Sequence, residues 1–329
     1  MTIAVGVVEF GGPDALRIVE LPDRHAGPGE VRLRVTAASV NPTDTLIRDG
    51  TRAAELRSDG PPPYVPGMDV AGVIDEIGTE PADVANGNGN GLQVGDRVMA
   101  IVLNRGVHGG YTASLVLPAA SVVAARAGAS DAEASTLPMN GLTARRTLDL
   151  LDLRPGATIF VGGAAGAYGG YVVQLAKYDG LRVIADASAA DEQLVRDLGA
   201  DVVVRRGDDV ADRILEAMPG GVDAVADGAL QHELLYPAIR DGGGYAAVRG
   251  VRGELPRGII GHGVWVREYG LEHAKLDRLR RQAEQGIVTL RVARTFPIEA
   301  AADAHRMLEA GGVRGRAVLI FPQLRGPNA

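Results

Sequence analysis

Residues 157–170 read ATIFVGGAAGAYGG, a stretch whose residue types suit the binding of a diphosphate. A β-branched strand ends at Val161, a glycine-rich turn follows, and the helical stretch YVVQLAK comes next. Gly163, Gly166 and Gly169 stand three residues apart, so the backbone can turn tightly and approach an anion closely. The helix start that follows offers N–H groups and a partial positive charge. The spacing Ala164-x-Gly166-x-x-Gly169 meets the dinucleotide fingerprint in relaxed form. The candidate cradle is therefore the backbone of Gly163, Ala164, Ala165, Gly166, Ala167, Tyr168 and Gly169. No Walker lysine follows, which argues against ATP chemistry. The competing reading is a tight glycine turn in an ordinary strand–helix unit.

The next strand ends at Asp186, twenty residues after Gly166. An acid there normally accepts the adenosine ribose hydroxyls and repels a 2′-phosphate, which favours NADH. Ser188, and Arg205 and Arg206 after the following strand, are groups that bind a 2′-phosphate and favour NADPH. Solvated loop arginines are the alternative. The expected cofactor is NADPH, with NADH as the other possibility.

Positioning that turn requires alternating strands and helices, and the sequence supplies them from about Ser130. Helical stretches at 131–150, 168–178, 192–198, 210–217 and 230–239 alternate with apolar strands at 158–161, 182–185, 202–204, 224–226 and 245–248. That order predicts a parallel sheet covered by helices. The first 125 residues read instead as short strands between Gly and Pro punctuation, with loops at Thr51–Pro63 and at Thr79–Leu92, the latter containing NGNGNG. The C-terminal segment resumes that texture: helices at 271–285 and 298–310, strands at 288–295 and 316–321. Trp265, in GVWV, is expected on an edge strand. The fold class is α/β, a Rossmann doubly wound parallel sheet plus a mostly β domain, with residues 1–125 and 268–329 in one domain and 126–267 in the other.

Length and composition agree. A chain of 329 residues suits two domains. With no cysteine, disulfides, thiolate catalysis and cysteine-held zinc are excluded, and a reducing cytoplasm is the default compartment. No apolar run approaches 18 residues, and the N-terminus lacks a signal-peptide pattern, so no membrane association is expected. A net charge of −7 without a basic run disfavours nucleic acid.

Further side chains carry polar groups near turns. Asn41 and Asp44 lie in VNPTD, where an asparagine can cap its own backbone and an aspartate can cap a helix. Tyr64 precedes VPGMD; it can pack in a core, stack on an aromatic substrate or donate a proton. Thr143 in NGLTA can line a helix. The six histidines share no metal spacing; His108, beside GGY, is a weak substrate-contact candidate, and His305 reads as helix surface.

Several stretches, in order and over nearly the whole length, resemble the medium-chain dehydrogenase/reductase superfamily, and within it the quinone oxidoreductase (zeta-crystallin-like) branch. They are ASVNPTDTLIRDG (38–50), PYVPGMDVAGVIDEIG (63–78), VGDRV (94–98), GGYTASLVLPA (109–119), LPMNGLTARRTL (137–148), the glycine turn, and AHRMLEAGGVRGRAVLIF (304–321). The resemblance implies a GroES-like catalytic domain split around a Rossmann domain, with the active site in the cleft between them. It places Asn41 and Thr143 against the nicotinamide, gives the Asn41 amide a substrate carbonyl to donate to, and brings Val248 and Gly250 near the nicotinamide. Where zinc-dependent relatives hold catalytic zinc with two cysteines and a histidine, this chain has Asn41, Met68 and Met139. Amide and thioether groups do not replace thiolate and imidazole for Zn²⁺, so no zinc is expected.

The resemblance implies a homodimer formed through the edge strand near Trp265. It also implies hydride transfer from NAD(P)H to a small quinone or enone. The alternatives are an enoyl reductase of a biosynthetic pathway and a cofactor-binding protein with little catalysis.

Overall fold

The computed structural model describes residues 1–78 and 91–322. The chain divides into two compact units. One comprises Met1–Met139, Gly270–Glu284 and Leu290–Ala329; the other comprises Asn140–Tyr269 and Gln285–Thr289. Residues 126–139, placed with the dinucleotide domain on chain order alone, pack with the first unit. Thr36 Oγ1 donates to Asp131 Oδ2 at 2.6 Å, and the Ser39 and Ser135 hydroxyls meet at 3.0 Å.

The second unit is built on a six-stranded parallel sheet. In chain order its strands are Thr158–Gly162, Arg182–Ala187, Val202–Arg205, Val222–Asp227, Ile239–Ala247 and Ile260–Gly263. In space they run third, second, first, fourth, fifth, sixth. This is the doubly wound order, whose ligand crevice lies beyond the carboxyl end of the first strand. The strand TIFVG is buried at every position, as a central parallel strand must be. The helix Ala167–Tyr178 packs Val172, Val173, Leu175 and Ala176 inward.

Two expectations are corrected in this unit. The helix expected at 230–239 is replaced by two 3₁₀ turns, His232–Leu234 and Tyr236–Ala238. Leu230 and His232 have φ of 57° and 47°, outside the helical region, and Pro237 lacks the N–H a helix interior needs. The edge strand is Ile260–Gly263; Trp265 follows it and stands half-exposed before the turn Val266–Tyr269.

The first unit holds a mixed sheet with seven strands among the described residues. Glu30–Ser39 lies at its centre, antiparallel to Asp69–Ile77, to Ser114–Pro118 and to the C-terminal strand Arg316–Ile320. Alternate residues Val31, Leu33 and Val35 enter its core. A separate two-stranded sheet, Thr2–Val7 with Leu16–Leu21, packs Val5, Val7 and Leu16 into the same core. The segment expected as a loop from Thr51 to Pro63 contains the helix Ala53–Asp59, whose Leu56 is buried. The NGNGNG stretch lies outside the described residues.

One buried side chain here has no polar partner among the described residues. Gln282, on the helix His273–Glu284, is 3% exposed, and neither its Oε1 nor its Nε2 is hydrogen-bonded. Leu276, Leu279 and Ala283 share its buried face. An orphaned buried amide opposes folding, so Gln282→Leu should raise stability by about 1 kcal/mol. Urea denaturation of both proteins checks this; a destabilised variant would show that the amide holds an ordered water.

Candidate functional site

The glycine turn sits at the carboxyl end of the central strand Thr158–Gly162. Gly163 has φ of 75°, a conformation that glycine alone adopts without strain. A Cβ on Gly169 would stand 2.3 Å from the Gly163 carbonyl oxygen, and one on Gly166 would stand 3.2 Å from it. The Gly166 N–H closes the turn onto that same oxygen at 3.0 Å. Gly166 is the N-cap of the helix and carries no side chain to cap with. The turn is thus a close-packed cradle that a Cβ would fill, and its residues fit a dinucleotide diphosphate.

Tyr168 is partly buried, and its hydroxyl is 2.7 Å from that of Thr147. Burial holds that phenol well above its ordinary pKa, so it stays protonated. Its ring lies where a Cβ on Gly228 would fall, 2.6 Å away.

Asp186 is placed differently from expectation. It is fully buried, and Oδ1 accepts from the N–H groups of Gly163 at 2.7 Å and Ala164 at 3.4 Å. The Arg206 fork meets both oxygens, Nε at 2.8 Å and Nη2 at 3.1 Å, and Gln231 Nε2 adds a contact at 3.3 Å. The expectation that this acid accepts ribose hydroxyls is corrected: its oxygens are filled by the protein. Ser188 donates to Asp191, while the Arg205 side chain projects into solvent. Gln231 gave no sequence signal; its Oε1 is buried without a partner, 3.3 Å from where a Cβ on Gly162 would stand. Val248 and Gly250 follow the strand Ile239–Ala247, Gly250 with φ of 84° and Trp265 beside it.

In the first unit, Asn41 is the N-cap of the helix Pro42–Arg48 and is wholly buried. Its Nδ2 donates to Asp69 Oδ2 at 2.8 Å and to the Ser39 carbonyl at 3.4 Å. The expected donation from this amide to a substrate carbonyl is corrected, because its hydrogens already face Asp69 and Ser39. Asp69 also accepts from the Met139 N–H at 2.6 Å. Asp44 is the third helical residue rather than the cap, because Pro42 occupies the first position; its Oδ2 accepts from the Asn41 N–H at 2.7 Å and its Oδ1 from the Gly67 N–H at 2.9 Å. Tyr64 is a packing residue: its ring stacks on Phe10 with centroids 5.3 Å apart, and its hydroxyl donates to the Gly60 carbonyl. Of its three readings, packing is the one these contacts match. Thr143 lies in the interior of the helix Pro138–Leu151, 7% exposed, and its carbonyl accepts from the Thr147 hydroxyl. His108 stands against the Arg24 guanidinium rather than free.

His305, expected on a helix surface, is buried within a directed chain of hydrogen bonds. Arginine only donates, so Arg48 Nη1 gives its hydrogen to His305 Nδ1 at 3.3 Å. The ring hydrogen therefore sits on Nε2 and points at the Tyr111 oxygen, 3.2 Å away. Tyr111 in turn donates to Asp44 Oδ2 at 3.1 Å. Arg48 also pairs with Glu309. Burial raises the carboxyl pKa of Asp44 to about 6 and of Asp69 to about 7, against the N–H groups and Arg316 that favour their charged forms.

Burial, and then the Arg48 charge, lower His305 to about 3. The unfolded imidazole takes its proton near pH 6.5, so the stability His305 contributes is full above that pH and is lost as pH falls towards 3. His305→Gln can keep the chain, accepting from Arg48 and donating to Tyr111. Between pH 7 and 4 the stability difference should swing in favour of the variant by roughly 3 kcal/mol. Denaturation midpoints measured at both pH values check this, and parallel curves would show that His305 charges freely when folded.

Asn41 has its amide committed, Met68 and Met139 offer thioethers, and the chain has no cysteine. Among the described residues no three His, Asp or Glu side chains gather to hold a metal ion. These groups do not fit catalytic zinc.

A doubly wound sheet bearing a glycine turn, joined to a second, mixed β unit, defines a two-domain nucleotide-dependent dehydrogenase or reductase. Residues 27–127 match the alcohol dehydrogenase GroES-like domain, and residues 198–319 match the family described as zinc-binding dehydrogenase. The chain is 31% identical to the NADPH-dependent alkenal/one oxidoreductase (chloroplastic) of Arabidopsis thaliana, over 95% of this chain and 78% of that one. It is 27% identical to the quinone oxidoreductase of Mus musculus over 97% of each. A mycobacterial protein solved in complex with NADPH superimposes with a TM-score of 0.83 at 27% identity, over 97% of this chain and 100% of that one. The chain belongs to the medium-chain dehydrogenase/reductase superfamily. No helix among the described residues is long and apolar enough to cross a membrane.

Proposed function

We propose that this chain is an NAD(P)H-dependent oxidoreductase that reduces a small quinone or an activated C=C bond without zinc. The observation that carries this reading is the glycine cradle at the carboxyl end of the central parallel strand, in a chain whose relatives include a quinone and an alkenal/one oxidoreductase. The bound dinucleotide supplies the hydride. The turn from Gly163 to Gly169 holds the diphosphate by backbone N–H groups. Thr143 and the Val248–Gly250 turn line the nicotinamide end, and Asn41 holds the substrate-side turn in place. Hydride transfer needs reacting atoms held about 3–3.5 Å apart, which is an orienting task.

Without a Lewis acid, alcohol oxidation is poorly served. A quinone or enone spreads incoming charge over its own conjugated oxygen, so orientation and local dipoles suffice. NADPH is the proposed cofactor, supported by the cofactor named for the Arabidopsis relative and by the NADPH complex of the mycobacterial one. A homodimer through the strand Ile260–Gly263 is also proposed; among the described residues one edge of that strand has no partner, and Ile260 and Trp265 are exposed beside it.

The test follows NADPH absorbance at 340 nm with benzoquinone, phenanthrenequinone, an alkenal and an enoyl thioester. Oxidation with a quinone or alkenal, in metal-free protein, is expected. Tight cofactor binding without turnover of any of them would favour a non-catalytic role, and stoichiometric zinc by metal analysis would overturn the zinc-free reading. Light scattering should give twice the chain mass.

A further inference from the structure

We propose that Asp186 does not read the cofactor ribose but holds Arg206 so that its outer nitrogen binds the adenosine 2′-phosphate of NADPH. The inference rests on the dinucleotide reading above and deepens it. An acid at the end of the second strand usually signals NADH, because its exposed oxygens accept the ribose hydroxyls. Here the acid is 0% exposed, and five N–H groups converge on its two oxygens. A carboxylate offers about four lone-pair positions, so no place remains for a hydroxyl.

Those contacts have a second effect. Arg206 presents Nε and Nη2 to the carboxylate, and Nη1 has no partner among the described residues. Its side chain is 45% exposed. The backbone is fixed as well: the Arg206 N–H donates to the Ala187 carbonyl at 2.9 Å, and Arg213 Nη1 donates to the Arg205 carbonyl at 2.7 Å. Arg206 is thus anchored at the end of the second strand, next to Ala187 and to Ser188, whose hydroxyl is given to Asp191, and the proposal seats the 2′-phosphate against its outer edge. A planar fork can hold a carboxylate on one edge and a phosphate on another at the same time, which an ammonium cannot do. The neighbouring Arg205, exposed, adds a second positive charge. Two carboxylates oppose a phosphate there: Asp186, whose charge the two backbone N–H groups and the intervening guanidinium offset, and Asp191, which accepts the Ser188 hydroxyl and acts on Arg206 from nearby, so the exposed Arg205 and the outer Arg206 nitrogen must outweigh it.

Asp186→Asn separates this role from the usual one. Asparagine still accepts from the Gly163 N–H, but its amide hydrogens then face Arg206 Nε, donor against donor, and release the arginine. Calorimetry on the whole protein with NADPH, NADH, 2′,5′-ADP and 5′-AMP provides the readout. Wild type should prefer 2′,5′-ADP to 5′-AMP by tenfold or more. Asp186→Asn should cut that ratio several-fold, and Arg206→Gln should abolish most of it, with NADH affinity little changed in the latter. Arg206→Lys keeps the charge and loses the fork, so it should behave as Arg206→Gln does; Arg206 is half-exposed, so both of its variants should fold.

An Asp186→Asn protein with a raised NADPH:NADH affinity ratio would overturn the proposal and return the acid to the ribose. Wild-type selectivity retained in Arg206→Lys would overturn it too. Equal affinity of wild type for NADPH and NADH would overturn this inference alone, whereas failure to bind either would remove the dinucleotide reading with it.

Discussion

Asp44→Ala should destabilise the protein by about 3–5 kcal/mol, the effect of removing one partner from a buried charged network. The carboxylate receives the Asn41 and Gly67 N–H groups and the Tyr111 hydroxyl, and it terminates the chain that runs from Arg48 through His305. Alanine leaves all three donors without an acceptor in a region closed to water, at about 1–3 kcal/mol each if none finds another partner. Burial of the charge works in the other direction, as its raised pKa shows, so the sum of three donors is an upper bound. Against a total stability of about 5–15 kcal/mol, the loss is large enough to lower expression. Asp44→Asn fills the same volume and keeps one acceptor, so it should lose less. Urea denaturation followed by circular dichroism measures both, and an alanine variant within 1 kcal/mol of wild type would show that water replaces the carboxylate.

The second large effect is expected at Gly169. Its Cβ would meet the Gly163 oxygen at 2.3 Å, the Gly163 carbonyl carbon at 2.7 Å and the Ala164 Cα at 2.8 Å. All three are backbone atoms, so no side chain can rotate away. The turn must open, at about 2–3 kcal/mol, which weakens dinucleotide binding roughly a hundredfold if the closed turn is the binding form. Gly166→Ala meets only the same oxygen, at 3.2 Å, and should cost far less. Dissociation constants for NADPH with both variants give the comparison. A Gly169→Ala protein that binds within threefold of wild type would disconnect the turn from the cofactor.

These two sites differ in how far the sequence reveals them. The glycine turn is local: a buried strand, three glycines and a helix lie within fourteen residues, so periodicity and spacing suffice. The parallel sheet is legible for the same reason, since each strand and helix carries its own pattern. Asp186 is half legible. Spacing places it at the strand end, but alternation did not show that its side chain turns inward to Gly163 and Arg206. The network around Asp44 is not legible at all. Tyr111 and His305 are 194 residues apart, and neither pattern nor spacing predicts their meeting. His305 on an otherwise amphipathic helix looks like a surface residue until Arg48 is seen to face it. Tyr64 and Trp265 show the opposite limit, because an aromatic beside a turn gives no sign of whether it packs, stacks or stands in solvent.

The first unit is completed by residues that are made after the whole of the second unit. Arg316–Ile320 closes the sheet beside Glu30–Ser39, and His305 and Glu309 finish the contacts of Arg48. The second unit is nearly one continuous stretch, Asn140–Tyr269, with a short return at Gln285–Thr289. During synthesis the nucleotide-binding half can therefore assemble while the N-terminal segment still waits for its final strand. The helix bearing Asn41 and Asp44, though made earlier than the second unit, reaches its finished form only after His305 and Glu309 have been made. A nascent chain stalled before Ala301 would then be expected to bind dinucleotide while its N-terminal segment stayed open to protease.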